Sequence, residues 1–239
     1  MPNRLHLDGE WPAPLTIRRG WAKATARPWN DDGPEAAVRL ERGSSDFLHE
    51  TAIQLRSLVE SDLFSPALYS PSTRVWRKAG FSPFAGLEVM ERMIGRDRAE
   101  PTHPAGPVES PDWDAVVDLD RKAFHGFWRM GRLGLIEAMA ATPRSTVLET
   151  RSEGELTGYA LVGSHMALAY LQRVAVSPAR GGQGLGTSLV RASLDWAAAV
   201  GARTMILNVK PENDNARRLY EREGFSASGV MLELLRFED

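Results

Sequence analysis

The stretch VSPARGGQGLGTSLV, residues 176 to 190, places four glycines, Gly181, Gly182, Gly184 and Gly186, in six positions between an apolar run and a run with helical spacing. A strand, a bare turn and a helix in that order bring several backbone N–H groups and the positive end of a helix dipole to one point, which is a site for phosphate. Glycine suits such a turn because it accepts positive φ and lets a ligand approach the main chain. Two phosphate ligands fail, one on spacing and one on a missing lysine. A dinucleotide loop needs G-x-G-x-x-G, whereas Gly182, Gly184 and Gly186 give G-x-G-x-G, and the strand at Thr204 to Val209 ends without the acidic residue that holds a ribose. A nucleotide P-loop needs a lysine after its last glycine, where this chain has Thr187.

The surrounding pattern predicts an α/β domain. Leu185, Leu189, Ala192, Trp196 and Ala199 share one helical face, and Gly201 comes next as a stop. Strands are expected at Thr146 to Glu149, Leu156 to Val162, Met166 to Val176 and Thr204 to Val209, with helices over Trp113 to Phe124 and Leu133 to Ala141. Upstream, Leu48, Ala52, Leu55 and Val59 mark a helix that Ser65-Pro66 brings to an end, and Ala37 to Leu40 reads as a short strand. Arg98 to Asp114 holds four prolines and reads as a linker. The expected division is therefore a unit over 1–100, a proline-rich linker over 101–111 and a domain over 112–239.

The segment TRVWRKAGF (73 to 81) aligns without gaps on RRLYEREGF (217 to 225), pairing Trp76 with Tyr220, Gly80 with Gly224 and Phe81 with Phe225. The first unit is thus expected to be a degenerate, partial copy of the second.

Two signatures in the second unit carry a resemblance. LQRVAVSPARGGQGLGTSLV together with NVKPENDNARRLYEREGF resembles the Gcn5-related N-acetyltransferase family over nearly all of 112–239. The first signature, [QR]-x-x-G-x-[GA], starts here on Gly181 with its arginine one residue early at Arg180. The second is met by Asn213, Ala216, Leu219, Tyr220, Gly224 and Phe225. The resemblance implies a mixed central sheet with splayed strands flanked by helices, and acetyl-CoA as acyl donor. It implies that the amides of Gly181, Gly182, Gln183, Gly184, Leu185 and Gly186, with Thr187 and Ser188 in the first helical turn and Asn213 nearby, hold the cofactor. It further implies that Val174, Ala175 and Val176 line its pantetheine arm, and that Tyr220 is the acid. A phenol, with a reference pKa of about 10, keeps its proton at neutral pH.

The base is less defined. Some relatives carry a glutamate where this chain has Gln172 and Arg173, and another branch carries one where this chain has Asn208. His165, His125, Glu137 and a water chain remain. Asp120, Phe124, His125, Phe127, Trp128 and Arg129 are the candidate acceptor pocket, with core packing as the competing role. Direct transfer to an amine of a small molecule or peptide is expected, and an acyl-CoA-binding sensor without turnover is the alternative.

The charge of −2 gives no basic field to gather nucleic acid. Zero cysteines remove disulfides, thiolate metal sites and cysteine nucleophiles, and no metal site is expected. No secretory signal or membrane span is visible, so a cytoplasmic location is expected. Strand edges after Phe225 make a homodimer an open expectation.

Overall fold

The structure, a computed structural model, describes residues 4–30, 33–95 and 99–238. Thirteen strands and six α-helices succeed one another in chain order among these residues. They are β1 (His6–Asp8), β2 (Leu15–Arg19), β3 (Ala22–Pro28), β4 (Ala36–Arg42), α1 (Ser45–Val59), β5 (Leu63–Phe64), β6 (Leu68–Tyr69), α2 (Thr73–Lys78) and β7 (Phe81–Met93). Then come β8 (Gly106–Val108), α3 (Trp113–Ala123), α4 (Arg132–Ala140), β9 (Arg144–Ser152), β10 (Glu155–His165), β11 (Leu168–Val176), α5 (Leu185–Ala199), β12 (Thr204–Val209), α6 (Asp214–Arg222) and β13 (Ser226–Phe237).

The chain forms two compact units, Met1–Leu87 with Val230–Asp239, and Glu88–Gly229. In the first, β1 to β4 form an antiparallel meander, β5 runs parallel to β4, and β13 pairs antiparallel with β5 and β6. Its core gathers Leu15, Ile17, Val38, Leu48, Leu55, Trp76, Phe81 and Phe237, all buried. Ser44 caps α1 by accepting from the Phe47 amide, which satisfies one of the helix's free donors.

In the second unit the strand order is β7, β12, β11, β10, β9, β8. Strands β11 and β12 are parallel and α5 connects them, the crossover geometry that a parallel pair requires. One face of the sheet packs Leu148, Ala160, Val162, Leu171 and Leu207 with Leu189, Val190 and Leu194 of α5. The other packs Val147, Tyr159, Leu161 and Ala175 with Val116, Val117 and Leu119 of α3 and Leu135 of α4.

The division differs from the sequence expectation. The compact units part at Leu87/Glu88 and again at Gly229/Val230, not in the proline-rich stretch. Two strands cause this: β7 comes after α2 yet its residues 88–93 pair with β12, while β13 comes after α6 yet pairs with β5. Residues 101–111 are not a free linker either, since β8 lies inside them and pairs with β9.

The repeated segments fold alike. Both α2 and α6 stop at a glycine with left-handed φ, +90° at Gly80 and +79° at Gly224, and both lead into a long strand. Within each, two aromatic rings meet tilted or edge-on, Trp76 with Phe81 at 4.9 Å and Tyr220 with Phe225 at 5.9 Å.

Candidate functional site

Strand β11 carries the geometry that opens the sheet. Against β10 its register runs Val176 to Gly158, Ala175 to Tyr159, Val174 to Ala160 and Arg173 to Leu161, then jumps to Leu171 opposite Val162. Gln172 is therefore an extra residue, a β-bulge, and such a bulge bends the strand and re-aims the side chains beyond it. On the other side, β11 pairs with β12 only from Leu168/Thr204 to Leu171/Leu207. Beyond Leu171 the two strands part, so alternate residues among Arg173, Val174, Ala175 and Val176 turn N–H and C=O groups into a gap. Val174, Ala175 and Val176 lie on the strand beyond this parting, with Ala175 packed into the core beside Tyr159.

At the end of β11 a short 3₁₀ turn, Pro178–Arg180, leads into the glycine loop. Gly182 and Gly184 adopt φ of +76° and +84°. Gly184 is the N-cap of α5, and no side chain caps this helix. The first bond into the helix is donated by the Ser188 amide to the Gly184 carbonyl. The amides of Leu185, Gly186 and Thr187 consequently stand open at the positive end of a fifteen-residue helix. Space is also tight there, because a Cβ on Gly186 would lie 3.3 Å from Leu219 Cδ2. Bare backbone, open amides and an adjoining splay fit a phosphorylated, elongated ligand.

Tyr220 lies on α6, nine per cent exposed, and its hydroxyl has no protein partner among the described residues. Burial pushes its phenol up to about 12, against an opposing pull from the Arg173 guanidinium. It is thus a group that keeps its proton and has it free to donate. Asn213 is the N-cap of α6, its side chain accepting from the Ala216 amide at 3.2 Å. That sets the start of the helix on which Tyr220 sits two turns later.

Three expectations need correcting. Asp120 does not line an acceptor pocket: it is fully buried and receives Tyr159 Oη–H at 2.6 Å, the Met130 amide at 2.7 Å, and Arg173 through Nε at 2.8 Å and Nη2 at 2.9 Å. Ser188 is also fully buried, its hydroxyl accepting from the His103 amide at 3.0 Å and meeting Thr102 Oγ1 at 3.2 Å. His165 pairs with Leu168 at the far end of the β10–β11 hairpin, five residues and about 16 Å of strand from Arg173, and cannot serve the splay.

Of the other residues expected at an acceptor pocket, Phe124 and Trp128 meet Arg173 directly. Its guanidinium carbon lies over the Phe124 ring, 3.5 Å from the centroid, and Nη2 donates to the Trp128 carbonyl at 2.7 Å. Phe127 meets Trp128 edge-on at 5.3 Å, Lys210 sits over the Trp128 ring at 4.9 Å, and Arg129 donates to the Phe124 carbonyl. His125 is exposed within this segment, whereas Glu137 is exposed on α4. Arg173, Lys210 and His103 are not among the expected site residues. Arg173 carries no motif, and His103 lies in a proline-rich stretch that looks like a tether.

Among the described residues no group of three or more metal-ligating side chains gathers, and no helix is long and apolar enough to cross a membrane.

Comparison with known proteins agrees with this geometry. The acetyltransferase (GNAT) family profile matches residues 113–225. The chain is 30% identical over 145 residues to a mycothiol acetyltransferase of Acidimicrobium ferrooxidans, a match covering 53% of this chain and 47% of that protein. It is 26% identical over 119 residues to a putative ribosomal protein bS18-alanine N-acetyltransferase of Bacillus subtilis, covering 50% of this chain and 78% of that one. The match thus spans about half the length of the mycothiol enzyme. In fold, a tandem GNAT protein from the clavulanic acid biosynthesis pathway superposes with a TM-score of 0.64 at 16% identity, covering 99% of this chain and 84% of that one. Residues 113–225, a little under half of the chain, thus form a domain of the acetyltransferase (GNAT) family.

Proposed function

We propose that this protein is an acetyl-CoA-dependent N-acetyltransferase whose acceptor is an amine of a small molecule or peptide. The observation that carries this reading is the junction of the β11–β12 splay with the uncapped, glycine-lined start of α5. Bound acetyl-CoA supplies an acetyl group as a thioester. The amides from Gly182 to Thr187 bind its phosphates, Gly181 having given its own N–H to the Pro178 carbonyl. The open backbone edge of Arg173, Val174, Ala175 and Val176 orients the pantetheine arm by hydrogen bonding. An N–H in the bulged segment polarises the carbonyl that is attacked. Tyr220 holds a proton at Oη and delivers it on the leaving-group side.

Deprotonation of the acceptor falls to His125 or to water, because Gln172, Arg173 and Asn208 stand where relatives carry carboxylates. Phe124, Phe127 and Trp128 form the acceptor wall, fixed by Arg173 rather than joined by Asp120. The relatives' names, one for a mycothiol enzyme and one for a ribosomal-protein alanine enzyme, support a small-molecule or peptide amine without choosing between them. The first unit has no glycine loop of its own in the sequence and is proposed to be structural.

The test is release of CoA from acetyl-CoA across a panel of small amines, amino acids and peptide N-termini, with mass detection of the acetylated product. At least one class is expected to turn over well above hydrolysis. Tight acetyl-CoA binding with no acceptor in any class would instead favour an acyl-CoA sensor, the reading that the missing carboxylates support.

A further inference from the structure

The stretch expected to be a linker is fastened to the start of α5 by side chains of its own. His103 Nε2 lies 2.7 Å from the Gln183 carbonyl oxygen, inside the glycine loop. The His103 amide and Thr102 Oγ1 both engage Ser188, and Arg191 of α5 bonds the Glu100 carbonyl at 3.1 Å. A Cβ on Gly184 would stand 3.6 Å from His103 Nε2 and 3.7 Å from Thr102 Oγ1. A half-buried imidazole is therefore held against the glycine that caps the helix, and buried Ser188 is the anchor that holds it there.

We infer that His103 completes the phosphate site, supplying a side-chain contact to the CoA pyrophosphate beside the amides of the glycine loop. This rests on the acetyltransferase reading above. A carbonyl oxygen only accepts, so Nε2 carries a proton and donates to Gln183, which leaves Nδ1 as the free nitrogen. On binding a phosphate oxygen, Nδ1 takes up one proton from solvent, and the ring then donates from both nitrogens, to Gln183 and to the ligand. The charged groups beside its segment are Glu100 on the segment itself, and Asp195 and Arg191 on α5. Arg191 is already tied to Glu223 through Nε at 2.9 Å and Nη2 at 3.0 Å, so its charge is directed away from the ligand.

Calorimetric titration of the full chain tests this with two probes, CoA and pantetheine, which lacks the pyrophosphate. Each titration is run in two buffers of different ionisation heat. The unaltered chain is expected to bind CoA with net proton uptake. His103→Ala should weaken CoA about tenfold to a hundredfold, abolish that uptake and leave pantetheine unchanged. His103→Gln, whose amide can still donate to Gln183 but cannot gain a proton, should bind CoA as weakly as the alanine variant. Unchanged or tighter CoA binding by His103→Ala overturns the inference, the latter by showing that the strap competes with the phosphates. Equal loss for CoA and pantetheine also overturns it, because His103 would then act only on loop structure. Failure of the unaltered chain to bind CoA overturns the acetyltransferase reading and this inference together.

Discussion

Asp120→Ala is expected to cost about 3–5 kcal/mol of stability, measured as a shift in urea midpoint at unchanged slope. The loss is large because the carboxylate is fully buried and four donors converge on it. Deleting it leaves the Arg173 guanidinium, whose side chain is only 12% exposed, without its counter-charge, and it strands the Tyr159 hydroxyl. Burial pushes the Tyr159 phenol further above its ordinary range, so this hydroxyl remains a donor and cannot compensate the charge. The carboxylate also joins three parts of the second unit: α3 which bears it, the β10–β11 pair through Tyr159 and Arg173, and the 124–131 segment through the Met130 amide. Aromatic order at Phe124 and Trp128 should fall with it. Replacing both partners by apolar residues, Asp120→Leu with Arg173→Met, should recover most of the loss, since it removes both buried charges together. If Asp120→Ala shifts stability by less than about 1 kcal/mol, the pair is not the tie described.

Tyr220→Phe should lower kcat about 10²- to 10⁴-fold while acetyl-CoA binding stays within twofold, the range for loss of a positioned proton donor. The substitution keeps the ring that packs on Phe225 and removes only an oxygen with no protein partner, so stability should change little. The phenol's elevation to about 12 also fixes the shape of the pH profile. An acid with that pKa remains protonated throughout the working range, so activity should rise as the acceptor amine loses its proton and should show no fall below pH 10. Arg173 opposes the elevation, so the phenol's titration should move upward, not downward, in Arg173→Met. A phenylalanine variant with undiminished kcat would reduce Tyr220 to a core residue.

The parts legible in the chain are those in which one short segment carries the whole signal. The glycine loop with α5, the β9–β10–β11 run and the Gly224-Phe225 ending each have a local pattern that survives any tertiary context. The third strand escapes such a reading because its inward positions are alanines, Ala22, Ala24 and Ala26, whose period-two alternation is weak in hydrophobicity though all three are buried. The unit boundaries escape it because proline content marks where a chain turns, not where contacts divide, and β7 and β13 cross the division as uninterrupted strands. Asp120, Phe124, Phe127 and Trp128 share helical spacing, which predicts a common face but not whether a carboxylate on it looks outward. Arg173 and Tyr159, brought from fifty-three and thirty-nine residues away, reveal that Asp120 looks in. His103 illustrates the same limit, since nothing in its neighbours announces Gln183 eighty residues on.

The central claim is that the glycine-lined start of α5 and the adjoining splay hold acetyl-CoA. Titrating acetyl-CoA into the intact chain and into Gly186→Val, with thermal melting to verify that the variant is folded, tests it most directly. Saturable one-to-one binding by the intact chain, weakened at least about tenfold when a side chain fills the space beside Leu219 and Val176, is the expected result. No saturable binding by the intact chain, or equal affinity in the valine variant, would contradict the account.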